Sequence, residues 1–549
     1  MERVVQLGEI EIRYSCTEGA VDIDDGLLRV TSKKNGNKYE IKWYDAEKRL
    51  KKYQLGQDVK FDFDYDWNGR LASVTMPNGE TTTLEYDSFG RKKYVRRSKL
   101  GMREYIYQPR TGLLDQVLST NESNNDVHSK KLEYDKKGRV VKEVYKQGSA
   151  VKEFVRSYDG ASAFGETYPN QLGFQSGERG EEYSRNTQYS VNGRLEREQK
   201  LFGERWLLNQ QYTYEWDGFV KDRDVSFKDI QTGQVKAYHI KQSRDKFGRL
   251  FQLLLDDQVI MTLNYDELGR IKNIQESSGR IMELSYDRVT QAYSGWKSDL
   301  KNASTSYAWH YDDRGLIAAE SFITPSEALS KTYAYDEAEF LNLESSPSRA
   351  RSYTYAMSLR QEQTNMGLDS FGRRLATKGL SLSYGTDGQL QSSVSPTGLF
   401  KYVYDGNGQR VLKYRNGELE QAYAGDLMIR QGQLFQKIEI QSILLGLVEQ
   451  GKYRPVFTDS RGTPFFAEQE GLKVPMAFGE EALLSQQDVL SYAGFGKDIE
   501  LGWIRFGVRD YDPDTGLFTS PDPLFLESPE RCVESPVECN LYSYAKIAR

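Results

Sequence analysis

The chain has 549 residues, 74 basic and 80 acidic side chains, a net charge of −6 and only 38% hydrophobic residues. Length alone suggests three or four domains, but so few aliphatics cannot fill that many thick cores. No run of about 18 apolar residues exists for a spanning helix, and acidic residues beside every basic patch argue against a nucleic-acid groove.

Residues 1–50 start charged and have no hydrophobic leader; they read as early wall strands or a short plug. Bacterial export is the expectation, by a route without a leader or within a larger parent protein. From 51 to about 440 one unit recurs. Tyr65-Asp66-Trp67-Asn68-Gly69-Arg70-Leu71 is followed by Tyr86-Asp87-Ser88-Phe89-Gly90-Arg91, then Tyr134-Asp135 with Gly138-Arg139, and Tyr265-Asp266 with Gly269-Arg270. Decayed copies keep the turn, as in Asp245-Lys246-Phe247-Gly248-Arg249 and Asp369-Ser370-Phe371-Gly372-Arg373. Apolar residues two before the Tyr (Phe63, Leu84, Leu132, Leu263, Tyr402) share its strand face. The Asp opens a turn and the Gly supplies φ > 0. Each copy is thus a hairpin of about 20 residues, and stacked hairpins make one long antiparallel sheet. Most tyrosines read as face packing.

These units resemble the YD repeats of the RHS family, which spans bacterial RHS toxins, C-type subunits of insecticidal toxin complexes and animal teneurins. The resemblance implies an all-β fold in which the sheet spirals into a hollow shell around a polypeptide cargo or toxin domain. With about 16 Å² of wall per strand residue, such a shell encloses on the order of 10⁴ Å³.

From 441 to 549 the pattern changes. The run Arg509-Asp510-Tyr511-Asp512-Pro513-Asp514-Thr515-Gly516 through Asp522-Pro523 resembles the RHS-associated core. In toxin-carrying members that core cuts the chain just downstream of itself. The resemblance implies catalysis by Asp510 and Asp522, with Arg509 beside the first. Two carboxylates sharing one site keep one protonated as acid while the other activates water. The plain alternative is that Asp510 and Asp512 only shape a turn with Pro513 and Gly516. The segment departs from the family pattern: Leu524-Phe525 follow Asp522-Pro523, a stretch with Cys532 and Cys539 intervenes, and the residues end at Arg549, before the family cleavage site.

No cofactor or metal is expected. His128, His239 and His310 lie far apart, and no G-x-S-x-G, P-loop or H-E-x-x-H appears. Cys532 and Cys539 can pair only if the loop between them folds back. The leading expectation is a cargo-enclosing shell whose only chemistry is single-turnover self-cleavage, partnered by toxin-complex or secretion proteins. The alternative is a surface adhesion or carbohydrate-binding module that reads glycans through exposed aromatics.

Overall fold

The structure is a computed structural model. It describes residues 3–543 except 8–9, 17–27, 35–36, 57–58, 122–125, 162, 164–170, 289–290, 301–302, 313–314, 337–339, 354–366, 397, 468–470 and 481–488. Alternation of apolar and polar residues builds the strands. In Val59–Tyr65, Phe61 and Phe63 are buried while Asp62 and Asp64 face water. Among the described residues thirty strands, from Arg3–Leu7 to Arg349–Ser352, form one sheet in which each pairs antiparallel with the next. The first four pair in series onto Leu50–Leu55 and so lengthen the wall. Ten more strands, Ala376–Thr377 to Lys452–Pro455, make a second meander of the same kind. The expected class holds: the protein is all-β, a strip of YD hairpins curled into a shell, with the core segment at its C-terminal end.

The repeat works through hydrogen bonds that tie one unit to the next. Asp66 Oδ1 accepts the backbone N–H groups of Asn68 and Arg70 at 2.9 Å, and Oδ2 accepts Arg70 Nε at 2.7 Å. Gly69 closes the turn at φ 79°, where a Cβ would be strained. The same bonds recur at Asp87, Asp135, Asp245, Asp266 and Asp369. Each arginine held in this way covers the tyrosine ring of the next unit: Arg70 over Tyr86 at 4.4 Å, Arg91 over Tyr107 at 4.1 Å, Arg270 over Tyr286 at 4.2 Å. The tyrosine hydroxyl reaches back in turn. Tyr86 Oη donates to Leu71 O at 2.8 Å, and Tyr65, Tyr107, Tyr134, Tyr265 and Tyr286 bond likewise to the preceding unit. The repeat tyrosines are therefore rim clamps as well as packing residues: the rings of Tyr65, Tyr86 and Tyr265 lie against the wall's apolar clusters while their hydroxyls reach the preceding unit.

Curvature has a local cause as well. Asp64 pairs with Ser73 but Tyr65 with Leu71, so a bulge falls just before the tyrosine. The same slip precedes Tyr86, Tyr134, Tyr189, Tyr214 and Tyr265. Bulges that recur at the tyrosine rim bend successive hairpins the same way. Burial, helped by Glu530 and Asp66, pushes the Tyr86 hydroxyl up to about 12, so it remains a donor at neutral pH. Tyr86→Phe keeps the ring and loses only the bond, and is expected to cost about 1 kcal/mol. Hydrogen exchange should quicken in Leu71–Thr75 and Thr81–Tyr86 while distant hairpins stay unchanged. No change at those strands would remove the clamp from the account.

The inner side of the wall carries two further layers. Wall residues Phe202, Trp206, Leu208, Phe227 and Trp296 pack against Leu412, Ile429, Leu434, Leu445 and Val448 of the ten-stranded sheet. The alternate residues of that sheet, Met428, Phe435, Leu444 and Leu447, meet Val489 and Leu490 on its other face. Earlier wall strands, through Phe61, Phe63, Leu84 and Val95, are covered by Phe525, Val537, Leu541 and Tyr542. Cys532 and Cys539 form a disulfide in that covering segment, so the loop does fold back. Closing so short a loop contributes about 2 kcal/mol. Polar pegs join the layers: Arg280 donates to Val456 O and Leu445 O, Trp296 Nε1 to Thr458 O, and Lys331 to Glu344 and Pro475 O. The 10⁴ Å³ estimate counts the wall alone. With its own chain inside, a cavity of about 700 Å³ lies between strands 92–134 and the C-terminal segment.

Candidate functional site

Strand Trp503–Phe506 turns at Gly507 into Arg509–Asp512, which pairs with Leu517–Phe518. Neighbouring side chains on a strand point to opposite faces, and this separates Arg509 from Asp510. On one face Arg509 pairs with Asp522 at 2.7 Å, covers the Phe518 ring and donates to Leu541 O at 3.2 Å. Asp522 caps the short helix Pro523–Glu527, its Oδ1 accepting from Leu524 N at 2.8 Å. Its own N–H donates to the same Leu541 carbonyl at 2.9 Å.

On the other face Asp510 is buried, with Arg410 at 3.0 Å on one oxygen and Arg505 at 3.1 Å on the other. Arg410 also pairs with Asp498, which Lys413 reaches at 3.1 Å; Lys413 meets Glu500 at 2.9 Å. Burial opposes charge on Asp498, but Arg410 and Lys413 outweigh it and hold the carboxyl at about 2. Burial and the neighbouring Asp498 push Glu500 up. Burial brings Arg509 down to about 10 against the pull of Asp522. Asp512 is engaged separately by Arg374.

The structure thus brings Arg509 and Asp522 together and seats Asp510 with arginines of its own. The two carboxylates are held by different arginines, and Asp510 lies on the face of strand Arg509–Asp512 opposite to the Arg509–Asp522 pair. Arg410, Arg505, Asp498 and Lys413 escape sequence reasoning. One signal was available: in the unit Tyr404-Asp405-Gly406-Asn407-Gly408-Gln409-Arg410, Gln409 takes the clamp position and leaves Arg410 as an inward strand residue. Among the described residues no three His, Cys, Asp or Glu side chains gather as a metal site needs, and no helix is long and apolar enough to cross a membrane.

With this geometry in view, comparison with known proteins is informative. The profile of the Teneurin YD-shell family matches residues 24–434. The chain belongs to the teneurin YD-shell family. Teneurin-4 of Homo sapiens is 26% identical over 518 residues, covering 85% of this chain and 18% of its own length. Teneurin-3 of Mus musculus is 25% identical over 549 residues, covering 89% and 19%. The chain therefore spans about a fifth of the length of the curated relatives it matches. Among solved structures, one titled crystal structure of TcdB2-TccC3 covers 98% of this chain and 39% of its own at TM-score 0.45 and 14% identity. The YD-shell match takes in the wall from strand Leu28–Lys34 onward and most of the ten-stranded sheet; Arg509, Asp510 and Asp522 lie beyond it.

Proposed function

We propose that this YD shell is a scaffold that encloses polypeptide, with self-cleavage at its C-terminal core as the accompanying chemistry. The observation that carries the reading is the inner face, where the wall's apolar stripes and buried cations end on residues 403–542 of the same chain. The first occupant is its own C-terminal segment. For cleavage, the supporting feature is that Arg509 and Asp522 both grip the Leu541 carbonyl, which tethers downstream chain beside a carboxylate.

Extending the chain with a D-P-x-G-L tail and a protease-sensitive peptide tests both parts. An enclosed tail resists added protease, and self-cleavage releases it in the parent but not in Asp510→Asn or Asp522→Asn. A tail digested as fast as free peptide would refute enclosure. Cutting that survives both substitutions would remove the carboxylates from the mechanism.

A second reading, glycan or cell-surface adhesion, is favoured by one observation: Trp67 and Trp216 stand 91% exposed at turn tips on the clamp rim. It expects glycan-array binding that is lost in Trp67→Ala and Trp216→Ala. Binding that ignores both substitutions takes those tips out of the reading.

A further inference from the structure

The cavity beside the C-terminal segment differs in chemistry from the rest of the inner face. Its wall side comes from strands Lys92–Arg97, Gly101–Tyr107, Leu114–Thr120 and Val127–Tyr134. Pairing puts Arg103 opposite Val95 and Ser119, Arg97 opposite Gly101, and His128 opposite Ser119. Arg97, Arg103, Tyr105 and His128 therefore share one face of the sheet, and all line the cavity.

Six cations line it. Four have carboxylates: Lys92 with Glu530, Lys130 with Glu143, Arg373 with Asp369 and Arg509 with Asp522. The other two do not. Arg97 is 6% exposed, and among the described residues its side chain donates only to the carbonyls of Phe525 and Leu526. The Arg103 side chain makes no hydrogen bond or ion pair among the described residues. Burial and the facing Arg103 bring Arg97 down to about 9. Two neutral groups point the same way: Tyr105 Oη and His128 Nε2 are buried without a hydrogen-bond partner among the described residues, and Asp126 stands 3.9 Å from the latter.

Buried cations are ordinarily paired, and buried polar atoms ordinarily bonded. Here one buried guanidinium (Arg97), one half-buried one (Arg103) and two orphaned polar atoms converge on a space of small-ligand size. The lining also includes apolar Val117, Leu132 and Phe154, which lie on the wall side, and the carboxylates Asp387, Asp405 and Glu527, of which Asp387 is paired with Lys152. A guanidinium fork fits carboxylate, phosphate or sulfate oxygens.

We propose that this cavity is a binding site for a small organic anion, its charged head between Arg97 and Arg103 and its apolar body against Val117, Leu132 and Phe154. Tyr105 donates to the head, and His128 completes the polar wall. The site stands independently of any cargo or cleavage.

Calorimetry on the full chain, with phenyl phosphate, 4-phenylbutyrate and inorganic phosphate as probes, tests it. At least one organic probe should bind saturably, and the stronger of the two identifies the head. Arg103→Gln should weaken it roughly tenfold or more, and Tyr105→Phe severalfold. Neither variant loses a native bond, so both should melt no lower than the parent when unliganded. Absence of saturable binding by both organic probes overturns the proposal. So does equal affinity for inorganic phosphate, or binding that Arg103→Gln leaves unchanged.

Discussion

Arg280→Ala is expected to cost about 3–5 kcal/mol and to loosen the ten-stranded sheet from the wall. Arg280 is fully buried, yet it carries a charge from the wall into the middle layer. Its guanidinium pairs with Glu276, donates at 2.7 Å to both Val456 O and Leu445 O, and stands 5.2 Å from the Phe457 ring centre. Truncation leaves Glu276 buried without its cation and takes the guanidinium from Val456 O and Leu445 O, although Leu445 O keeps Val456 N and Tyr453 Oη as donors. The double variant Arg280→Met with Glu276→Leu removes both charges and should recover most of the loss, because an apolar pair avoids the desolvation cost. Urea unfolding with hydrogen exchange over Ile443–Glu449 measures both. A single-variant cost below about 1 kcal/mol, or a double variant no better than the single, would sink the idea that this peg joins the layers.

Arg410→Met is expected to be of similar size and to change the response to acid. Arg410 lies between Asp498 and Asp510, both buried. With the cation gone, Asp510 keeps Arg505 and Asp498 keeps Lys413. In the parent, burial works against the Asp498 charge, but Arg410 and Lys413 hold its folded pKa at about 2, below the roughly 3.9 of an unfolded Asp. Its contribution is therefore complete above about pH 4 and lost as pH falls through the folded value near 2. In Arg410→Met that loss starts at higher pH, since one of the two cations that depress the pKa is missing. Near-UV circular dichroism across acid pH, with hydrogen exchange over Trp503–Phe506, follows the transition. Equal acid midpoints for parent and variant would take Arg410 out of this role.

How far the chain was legible from sequence depends on the range of the interactions involved. The hairpins were readable because Tyr65-Asp66 to Gly69-Arg70 is a local device, complete within six residues. The clamp between units was not. Arg70 looks like the start of the next strand, and only the structure puts it over Tyr86. The lining was less legible still. Arg280 lies in a turn and Glu320 and Lys331 in alternating strands, with no local sign of a partner, yet each faces inward toward one more than a hundred residues away. The Cys532–Cys539 pairing stayed open because spacing alone does not say whether a loop doubles back, and here two 3-10 turns make it do so. For the aspartates the motif picked out Asp510 and Asp522 with Arg509 beside the first, whereas in the fold Arg509 pairs with Asp522. The arginines that claim Asp510 come from residues 410 and 505, one of them in a different sheet, and no motif reports them.

Pairing of each wall strand with its successor also bears on how the molecule is made. Hairpin contacts are local in sequence, so the wall can form strand by strand as it leaves the ribosome. The lining cannot, because Arg280 waits for Val456, 176 residues later. At ordinary rates of synthesis that interval is roughly 10–35 seconds. Through it the nascent wall presents Trp206, Phe227 and Trp296 on an uncovered face. The hazard to this protein is thus one of timing: aggregation threatens most between the birth of the wall and the arrival of the chain that lines it.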